Sequence, residues 1–335
     1  MDTTRIVLCC PACRAPARDR GDRYECTACD RTYPVLHGIP DFRLRSDRYL
    51  DLPQERAKAA RIAAQGERSS FAALLDYYYQ ITDDVPPELA RRYKAGVLAA
   101  PRHLRELGAE VARSVANKPR AIVLDAGCGA GGMLIALCEA GVPVVGLDIA
   151  LRWLVVCKKR LDELGIGALL VCGDIEQPPF SAETFDAVTA IDLVEHVRDV
   201  PAALASIGSV MKPGALAWLT ATNSRTLGPH PTTRIWGIGW LAQPLRSWLL
   251  RRLRGVDSLR FTHLLTPAGL SRLAAHLGLS VRSAAPRRIG APDANYPAWE
   301  RWLMRCYAVL ARLTLTRRLL LAIGPSFELV LCREA

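Results

Sequence analysis

The sequence predicts an α/β fold in which helices flank a largely parallel β-sheet, preceded by a small metal-binding module. An apolar strand beginning at Ala121 leads into a glycine-rich turn and an apolar helix. Apolar strands and helices then alternate as far as about Thr222, which is typical of a parallel sheet. Two Cys-x-x-Cys pairs precede residue 30, and 335 residues suffice for one large domain and one smaller unit.

The basic residues are concentrated in the last third of the chain. Residues 223–335 contain 17 Arg, no Lys and 5 Asp or Glu, so they carry the whole excess of the formal net charge of +11. The same third contains five of the seven tryptophans: Trp236, Trp240, Trp248, Trp299 and Trp302. Arginine together with tryptophan suits an anionic membrane surface, a phosphorylated substrate or nucleic acid.

The sequence contains no stretch of roughly 18 uncharged apolar residues, so we expect no transmembrane helix. Residues 1–5 lack the basic and apolar succession of a signal peptide. We therefore expect a cytoplasmic protein with reduced cysteines, and peripheral association with the inner face of the membrane stays open. Six cysteines in apolar surroundings are predicted to be small core residues: Cys128, Cys138, Cys157, Cys172, Cys306 and Cys332.

The cysteine pairs predict one tetrahedral zinc site. They form two Cys-x-x-Cys turns separated by twelve residues, and the four cysteines are Cys10, Cys13, Cys26 and Cys29. Each turn can present two thiolates to one ion, and a hairpin carrying Tyr24 brings the second pair back to the first. The alternative, four thiols without metal, requires this spacing to arise by chance. A four-thiolate site is structural rather than catalytic, so zinc binding and folding should be coupled.

The segment after the second cysteine pair resembles a known small domain. Residues 32–42, Thr-Tyr-Pro-Val-Leu-His-Gly-Ile-Pro-Asp-Phe, are similar to the end of the zinc ribbon found in activators of tRNA and protein methyltransferases. That domain also occurs fused to bacterial methyltransferases, and the resemblance covers about residues 7–42. It implies that the ribbon supports folding and partner contacts rather than chemistry.

The glycine-rich turn predicts a ligand site at the carboxyl end of the first strand. Residues 121–131 read Ala-Ile-Val-Leu-Asp-Ala-Gly-Cys-Gly-Ala-Gly, and Gly127, Gly129 and Gly131 let the backbone approach a ligand closely. A second apolar strand ends at Asp148, where a carboxylate can accept hydrogen bonds from both ribose hydroxyls. A dinucleotide-binding dehydrogenase would show the same elements, so the later strands have to discriminate.

The later strands resemble those of the class I methyltransferase family of type 11, across about residues 121–222. Strands are predicted at Leu169–Cys172, Phe185–Ile191 and 215–222. The resemblance implies a Rossmann-like seven-stranded sheet in the order 3-2-1-4-5-7-6 and S-adenosylmethionine as cofactor. It also implies that Asp125 and Gly127 hold the methionine end, Asp148 the ribose, and Asp174 with Ile175 the adenine. The remaining predicted cofactor contacts are Gly129, Gly131, Ile149 and Ile191.

The best candidate for a general base is His196, which follows the fourth strand in Asp-Leu-Val-Glu-His. Related O-methyltransferases carry a similar Glu-His pair, but in relatives with other chemistry it is a structural feature of the loop, and both roles stay open here. Glu195 could orient the imidazole or begin a helix. Neither Asn-Pro-Pro-aromatic nor Pro-Cys follows this strand, which argues against adenine-N6 and pyrimidine-C5 methylation.

We predict three regions: a zinc ribbon at 1–45, a helical linker or cofactor lid at 46–118, and a methyltransferase domain at 119–335. Insertions at 223–266 and 290–323 leave from the edge where the cofactor is expected, so they should form the acceptor pocket. In the second insertion, arginines recur at helical spacing behind two tryptophans. This favours a helix at a membrane interface and an ordinary surface helix about equally.

The predicted function is O-methylation of a small metabolite, which is lipid-linked or glycosylated. One alternative is an RNA methyltransferase that binds the phosphate backbone of RNA through the ribbon and the Arg-rich last third of the chain. The basic residues are mixed with long apolar stretches, which makes nucleic acid the weaker expectation. Another alternative is a cofactor-binding partner protein without catalysis. The presence of all the carboxylates that are predicted to bind the cofactor argues against this alternative.

Overall fold

The computed structural model describes residues 6–82, 85, 87–255, 257, 259–290 and 298–334, apart from the side chain of Glu88. The chain begins with a four-stranded antiparallel sheet in the order β1-β2-β3-β4. Its strands are β1 (Ala17–Asp19), β2 (Arg23–Cys26), β3 (Thr32–Leu36) and β4 (Ile39–Pro40). The β1–β2 hairpin pairs Asp19 with Tyr24, as expected for the hairpin that joins the two cysteine pairs.

Three helices follow the small sheet: α1 (Leu52–Gly66), α2 (Phe71–Gln80) and α3 (Pro87–Val115). Asp51 caps α1 by accepting from the backbone N–H of Gln54, whose side chain in turn accepts from the N–H of Asp51. This reciprocal pair satisfies two of the backbone donors that a helix N-terminus leaves open. Ser70 caps α2 with a single bond, in which its side-chain oxygen accepts from the N–H of Ala73.

The second sheet has seven strands in the order β7-β6-β5-β8-β9-β11-β10. The strands are β5 (Val123–Ala126), β6 (Val144–Asp148), β7 (Leu169–Cys172), β8 (Phe185–Ile191), β9 (Met211–Thr222), β10 (Leu279–Pro286) and β11 (Ser326–Arg333). Pairs β5–β6, β5–β8 and β6–β7 are parallel, whereas β11 pairs antiparallel with β9 and β10. The predicted order 3-2-1-4-5-7-6 and the Rossmann-like fold are confirmed.

Helices follow most strands of this sheet, as the alternating sequence pattern predicts. They are α4 (Gly132–Glu139), α5 (Leu151–Glu163), α6 (Val200–Val210), α7 (Gln243–Arg254), α8 (Pro267–His276), α9 (Ala298–Leu310) and α10 (Thr314–Ile323). No helix in the described part of the chain combines the length and the apolarity that a bilayer crossing requires.

The chain divides into two compact units. The first contains Met1–Thr189 and Ala205–Ala215, and the second contains Ala190–Leu204 and Leu216–Ala335. The ribbon, α1 to α5 and strands β5 to β7 therefore lie in one unit. The division does not fall at residues 45 and 118, so the three predicted regions stay predictions.

The cysteines predicted to lie in the core fall into two groups. Four of them are buried, namely Cys128, Cys157, Cys172 and Cys332. Cys138 and Cys306 are only half-buried. Cys138 lies next to the C-terminal residue of α4, and Cys306 lies on a helix that buries few side chains, so their apolar neighbours in sequence do not enclose them.

Candidate cofactor and metal sites

The four cysteines of the two Cys-x-x-Cys turns form one cluster. Their Sγ atoms all lie within 4.8 Å of one another. The Sγ separations are 3.8 Å for Cys10–Cys29, 3.4 Å for Cys13–Cys26 and 3.7 Å for Cys13–Cys29. Four Zn–S bonds of about 2.3 Å in a tetrahedron would separate the sulfurs by roughly 3.8 Å. The cluster therefore fits a zinc ion, which Cys10, Cys13, Cys26 and Cys29 would hold.

Hydrogen bonds favour the thiolate form that zinc requires at two of the four cysteines, Cys10 and Cys26. The hydroxyl of Tyr33 lies 3.0 Å from the Sγ of Cys10. Burial alone would raise the pKa of Cys10, but this bond and backbone N–H groups lower it to about 6. The N–H groups of Ala28 and Cys29 donate to the Sγ of Cys26 at 3.4 Å and lower its pKa. Sequence reasoning missed Tyr33, and the one sequence signal for it would be its position four residues after Cys29.

The ribbon is bound to the segment that follows β7. The guanidinium of Arg14 donates to the carbonyl oxygens of Pro178 at 2.6 Å and Phe180 at 2.7 Å. The N–H of Cys9 donates to the carbonyl of Pro179 at 2.9 Å. Arg14 has a positive φ of 66°, which the tight turn of its cysteine pair imposes. Residues 177–180, Gln-Pro-Pro-Phe, therefore form the contact with the ribbon.

Residues 41–55, which we call the strap, lead from the ribbon across unit 1. The N–H of Phe42 donates to the carbonyl of Cys172 at the end of β7, at 2.8 Å. Arg43 donates to the carbonyl of Ile149 at 3.1 Å, and a fully buried ion pair with Asp41 at 2.7 Å holds its guanidinium. Sequence analysis assigned residues 41–45 to the ribbon and residues 46–55 to the helical linker, and their contacts with the strand ends have no local sequence signature.

The glycine turn between β5 and α4 has the conformation that only glycine adopts without strain. Gly127, Gly129 and Gly131 have φ values of 73°, 49° and 79°. A Cβ on Gly131 would lie 2.7 Å from the Sγ of Cys157, so this glycine is required by packing inside the protein rather than by a ligand. A Cβ on Gly129 would meet nothing within 4 Å. The turn therefore leaves open space at Gly129.

Asp148 lies at the end of β6, directly beside this turn. Its Oδ2 accepts from the N–H of Gly129 and its Oδ1 from the N–H of Ala150, both at 2.8 Å. Burial raises its pKa above the ordinary value, although the two N–H groups oppose this effect. A carboxylate oxygen has two lone pairs, so each oxygen keeps one acceptor position for a ligand hydroxyl.

Asp125 presents an unsatisfied carboxylate oxygen at the end of β5. The residue is 2% exposed, and the hydroxyl of Thr189 donates to its Oδ1 at 2.8 Å. Its Oδ2 has no hydrogen-bond partner among the described residues. Burial raises the pKa of Asp125 to about 7. Because a buried polar atom without a partner is costly, this oxygen fits a ligand that brings a cation or a donor.

Asp174, predicted to contact adenine, is held by an arginine of the strap. Arg45 donates from Nε to the Oδ2 of Asp174 at 2.8 Å and from Nη2 to Glu176 at 2.6 Å. The other carboxylate oxygen of Asp174 accepts from the N–H of Glu176 at 2.9 Å. Ile175 is 5% exposed, so little of its side chain is available to a ligand. No local sequence pattern marks Arg45, which lies 129 positions before its partner Asp174.

In the second unit, the residues after β8 form a charged turn. Asp192, with a positive φ of 53°, accepts two bonds from Nη1 of Arg287 at 2.7 and 2.8 Å. Glu195 is 2% exposed, and its Oε2 has no hydrogen-bond partner among the described residues. Burial and the charge of Asp192 raise the pKa of Glu195 to about 8. The predicted base His196 is exposed, and Ile191 is half-buried at the end of its strand.

Comparison with known proteins assigns the central part of the chain. Residues 124–219 match the family model described as a methyltransferase domain. This region is a methyltransferase domain. Ubiquinone biosynthesis O-methyltransferase of Methylocella silvestris is 33% identical over 129 residues, which are 38% of this chain and 50% of the relative. The enzyme of the same name from Parvibaculum lavamentivorans is 30% identical over 128 residues, 37% of this chain and 50% of the relative.

The chain spans about half the length of these curated relatives. A comparison of structures matches one chain of a complex between the Haloferax volcanii methyltransferase activator and a protein described as a methyltransferase. The TM-score is 0.45 and the identity is 18%, covering 71% of this chain and 92% of that chain.

Most of the predicted cofactor residues lie in the part of the methyltransferase domain that belongs to unit 1. Asp125, the glycine turn and Asp148 lie at the carboxyl ends of the adjacent strands β5 and β6, the edge where parallel sheets bind ligands. The unpaired oxygen of Asp125 and the open space at Gly129 fit S-adenosylmethionine, which carries a cationic amino group. Asp125 would hold that group, and Asp148 would hold the ribose.

Proposed function

We propose that this protein is an S-adenosylmethionine-dependent O-methyltransferase that acts on a small metabolite, either lipid-linked or glycosylated. The observation that carries the proposal is the carboxylate pair Asp125 and Asp148 beside the open glycine turn of the methyltransferase domain. The names of the curated relatives support oxygen as the acceptor atom. The lipid-linked or glycosylated nature of the acceptor rests on the basic, Trp-rich last third of the sequence.

When bound, S-adenosylmethionine supplies an activated methyl group to the acceptor oxygen and leaves as S-adenosylhomocysteine. The chain itself then has to position two reactants and remove one proton from the acceptor hydroxyl. Asp148 and the glycine turn would hold the cofactor, while the residues after β8 would receive the proton. The exposed His196 is the proposed base, because an imidazole at the surface of this turn is accessible to a substrate.

Glu195 is the second candidate for the base. Its buried Oε2 has no partner among the described residues, and its pKa is raised to about 8. A carboxylate with a raised pKa is a stronger base than an ordinary one. The backbone N–H of Thr222 donates to its Oε1 at 3.1 Å, an interaction that glutamine at this position would preserve.

A test of the function incubates the purified protein with methyl-labelled S-adenosylmethionine and separate lipid, aqueous-metabolite and RNA fractions. Label entering lipids or metabolites as an alkali-stable methyl ether supports O-methylation. Label entering RNA alone refutes it and favours the nucleic-acid alternative. Cofactor binding without transfer to any fraction would indicate a non-catalytic partner protein. Asp148→Ala should abolish the label, and the exposed Asp162→Ala on α5 is the matched control.

A test of the base compares His196→Ala with Glu195→Gln once an acceptor is known. If His196 takes the proton, its replacement should lower kcat by about 100-fold or more, while the KM for the cofactor changes little. Glu195→Gln should then retain most of the turnover. The opposite pattern, loss with Glu195→Gln alone, would transfer the role to Glu195 and remove His196 from the mechanism.

A further inference from the structure

Helices α9 and α10 carry their apolar side chains on the outside. Glu300 is the only buried residue described in α9, and none of the residues of α10 is buried. Short helices have little stability of their own in water and normally gain it by burying an apolar face. These two helices, both in the second unit, bury almost none of theirs within the described chain.

The exposed apolar residues of α9 form one continuous stripe. They are Trp299 (53% exposed), Trp302 (64%), Leu303, Val309 (60%) and Leu310. At 100° per residue these positions fall within an arc of roughly 120° of the helix surface. A stripe of this width usually faces the protein core. In this protein it faces the solvent.

A second side of α9, next to the stripe, is attached to the protein by polar contacts. Glu300 is 6% exposed and forms an ion pair with Arg234. The hydroxyl of Tyr307 donates to the carbonyl oxygen of Arg287 at 2.9 Å. These contacts fix the rotation of the helix, so the outward direction of the stripe is specified by the structure and is not the result of a loose helix.

Helix α10 also exposes apolar side chains. Leu313 precedes it and is 54% exposed, and Leu315 and Leu319, one turn apart, are 83% and 57% exposed. Helices α9 and α10 contact each other. We call the eight exposed apolar residues of this region the α9–α10 surface: Trp299, Trp302, Leu303, Val309, Leu310, Leu313, Leu315 and Leu319.

The charges around the α9–α10 surface are positive. Residues 298–323 contain five arginines and one acid, Glu300, which is buried and paired with Arg234. Four of the five arginines are exposed: Arg305, Arg312, Arg317 and Arg318. Every charge that this segment presents to solvent therefore has the same sign, and it complements an anionic partner.

We propose that the α9–α10 surface docks on an anionic lipid bilayer, with tryptophan and leucine side chains at the level of the acyl-chain boundary and the arginines on lipid phosphates. Tryptophan and arginine are the residues that favour this interfacial position. The exposed aliphatic groups of Leu315 and Leu319 distinguish a bilayer from RNA, because a phosphate backbone offers them no apolar surface. The proposal goes beyond methyl transfer and does not depend on it.

The test measures co-sedimentation of the full chain with vesicles of phosphatidylcholine containing phosphatidylglycerol, and with phosphatidylcholine alone. We expect partitioning onto the anionic vesicles only, and protection of residues 298–323 from hydrogen exchange when they are present. Arg317→Ala with Arg318→Ala should lower the partition coefficient roughly 25-fold, since each arginine near such a surface contributes about fivefold. Leu315→Ala with Leu319→Ala should lower it at least roughly tenfold.

Matched controls change the same residue types elsewhere. Leu164→Ala, at a leucine 56% exposed in unit 1, and Arg272→Ala, at an exposed arginine of α8, should leave the partition coefficient unchanged. Each test position is exposed, so melting temperatures should be unchanged as well. Equal partitioning of all variants, or no binding to anionic vesicles, overturns the proposal. A dimer in sedimentation velocity that Leu315→Ala with Leu319→Ala dissociates also overturns it, because the occupant would then be a second copy of the chain.

Discussion

Replacing Arg152 with methionine should release the strap and α1 from α5. The side chain of Arg152 is 9% exposed, and its guanidinium binds Asp47 at 2.6 Å and also Glu55. The side chain of Asp47 is 5% exposed and that of Glu55 is 0% exposed. Its Nε also donates to the hydroxyl of Tyr78 at 3.3 Å. Burial disfavours the charged guanidinium, but Tyr78 and the two carboxylates raise its pKa above the ordinary value. Arg152→Met leaves two buried carboxylates without their cation.

The expected cost is about 3–5 kcal/mol, the range for breaking a buried ion pair by removing one partner. Since about 1.4 kcal/mol corresponds to a factor of ten, the opening equilibrium of α1 should rise by at least roughly 100-fold. Native-state hydrogen exchange on amides of residues 52–66 measures this directly. The triple variant with Asp47→Asn and Glu55→Gln removes the stranded charges and should recover most of the protection.

The control is Lys158→Met on the same helix. Lys158 is paired with Asp162 at 2.9 Å, but both side chains are about half exposed, so its loss should cost no more than about 1 kcal/mol. The reasoning is refuted if Arg152→Met costs as little as Lys158→Met. It is also refuted if the triple variant is no better protected than the single variant, because the cost would then not come from unpaired charge.

Three further predictions concern the metal and the cofactor site. One zinc ion per chain should be found by elemental analysis, and its removal by a chelator should abolish hydrogen-exchange protection in β1 to β3, because the ribbon is too small to hold a core without metal. Asp148→Ala should weaken S-adenosylmethionine binding by at least about 100-fold in calorimetry, because two hydrogen bonds to a charged group contribute about 3 kcal/mol or more, whereas the exposed Asp162→Ala should leave it unchanged. Because burial raises the pKa of Asp125 to about 7, the cofactor-free protein should lose stability as the pH rises from about 4 to 7 and this carboxyl loses its proton inside the protein. Asp125→Asn should remove that part of the pH dependence of Tm, and identical profiles for the two proteins would contradict the assignment.

The strands that position the site could be predicted because their signals are local. Leu169–Cys172 and Phe185–Ile191 have the predicted bounds, since a short apolar run between turn residues marks a buried parallel strand. Asp148 ends β6 as expected. The role of glycine was predicted only in part. All three glycines have positive φ, but at Gly131 the neighbour that excludes a Cβ is Cys157, which lies 26 residues further along the chain in α5.

The contacts between distant segments could not be predicted from the sequence. Arg45 pairs with Asp174, and Arg14 with the carbonyl oxygens that follow β7, through specific side-chain positions that no periodicity encodes. The sequence pattern of α9 also left the direction of its apolar stripe open. The ion pair between Glu300 and Arg234 decides that direction, and it joins residues of two different insertions.

The covalent fusion of the ribbon changes how its contacts respond to dilution. A separate activator leaves its partner when the protein concentration falls below the dissociation constant of the pair. Here the ribbon that donates to Pro178 and Phe180 belongs to the same chain. The strap therefore sets the local concentration of the ribbon near these two residues, and this concentration is in the millimolar range typical of short tethers. The bonds of Arg14 and Phe42 therefore need little intrinsic affinity to persist. Ribbon and methyltransferase domain are also always produced in equal amounts.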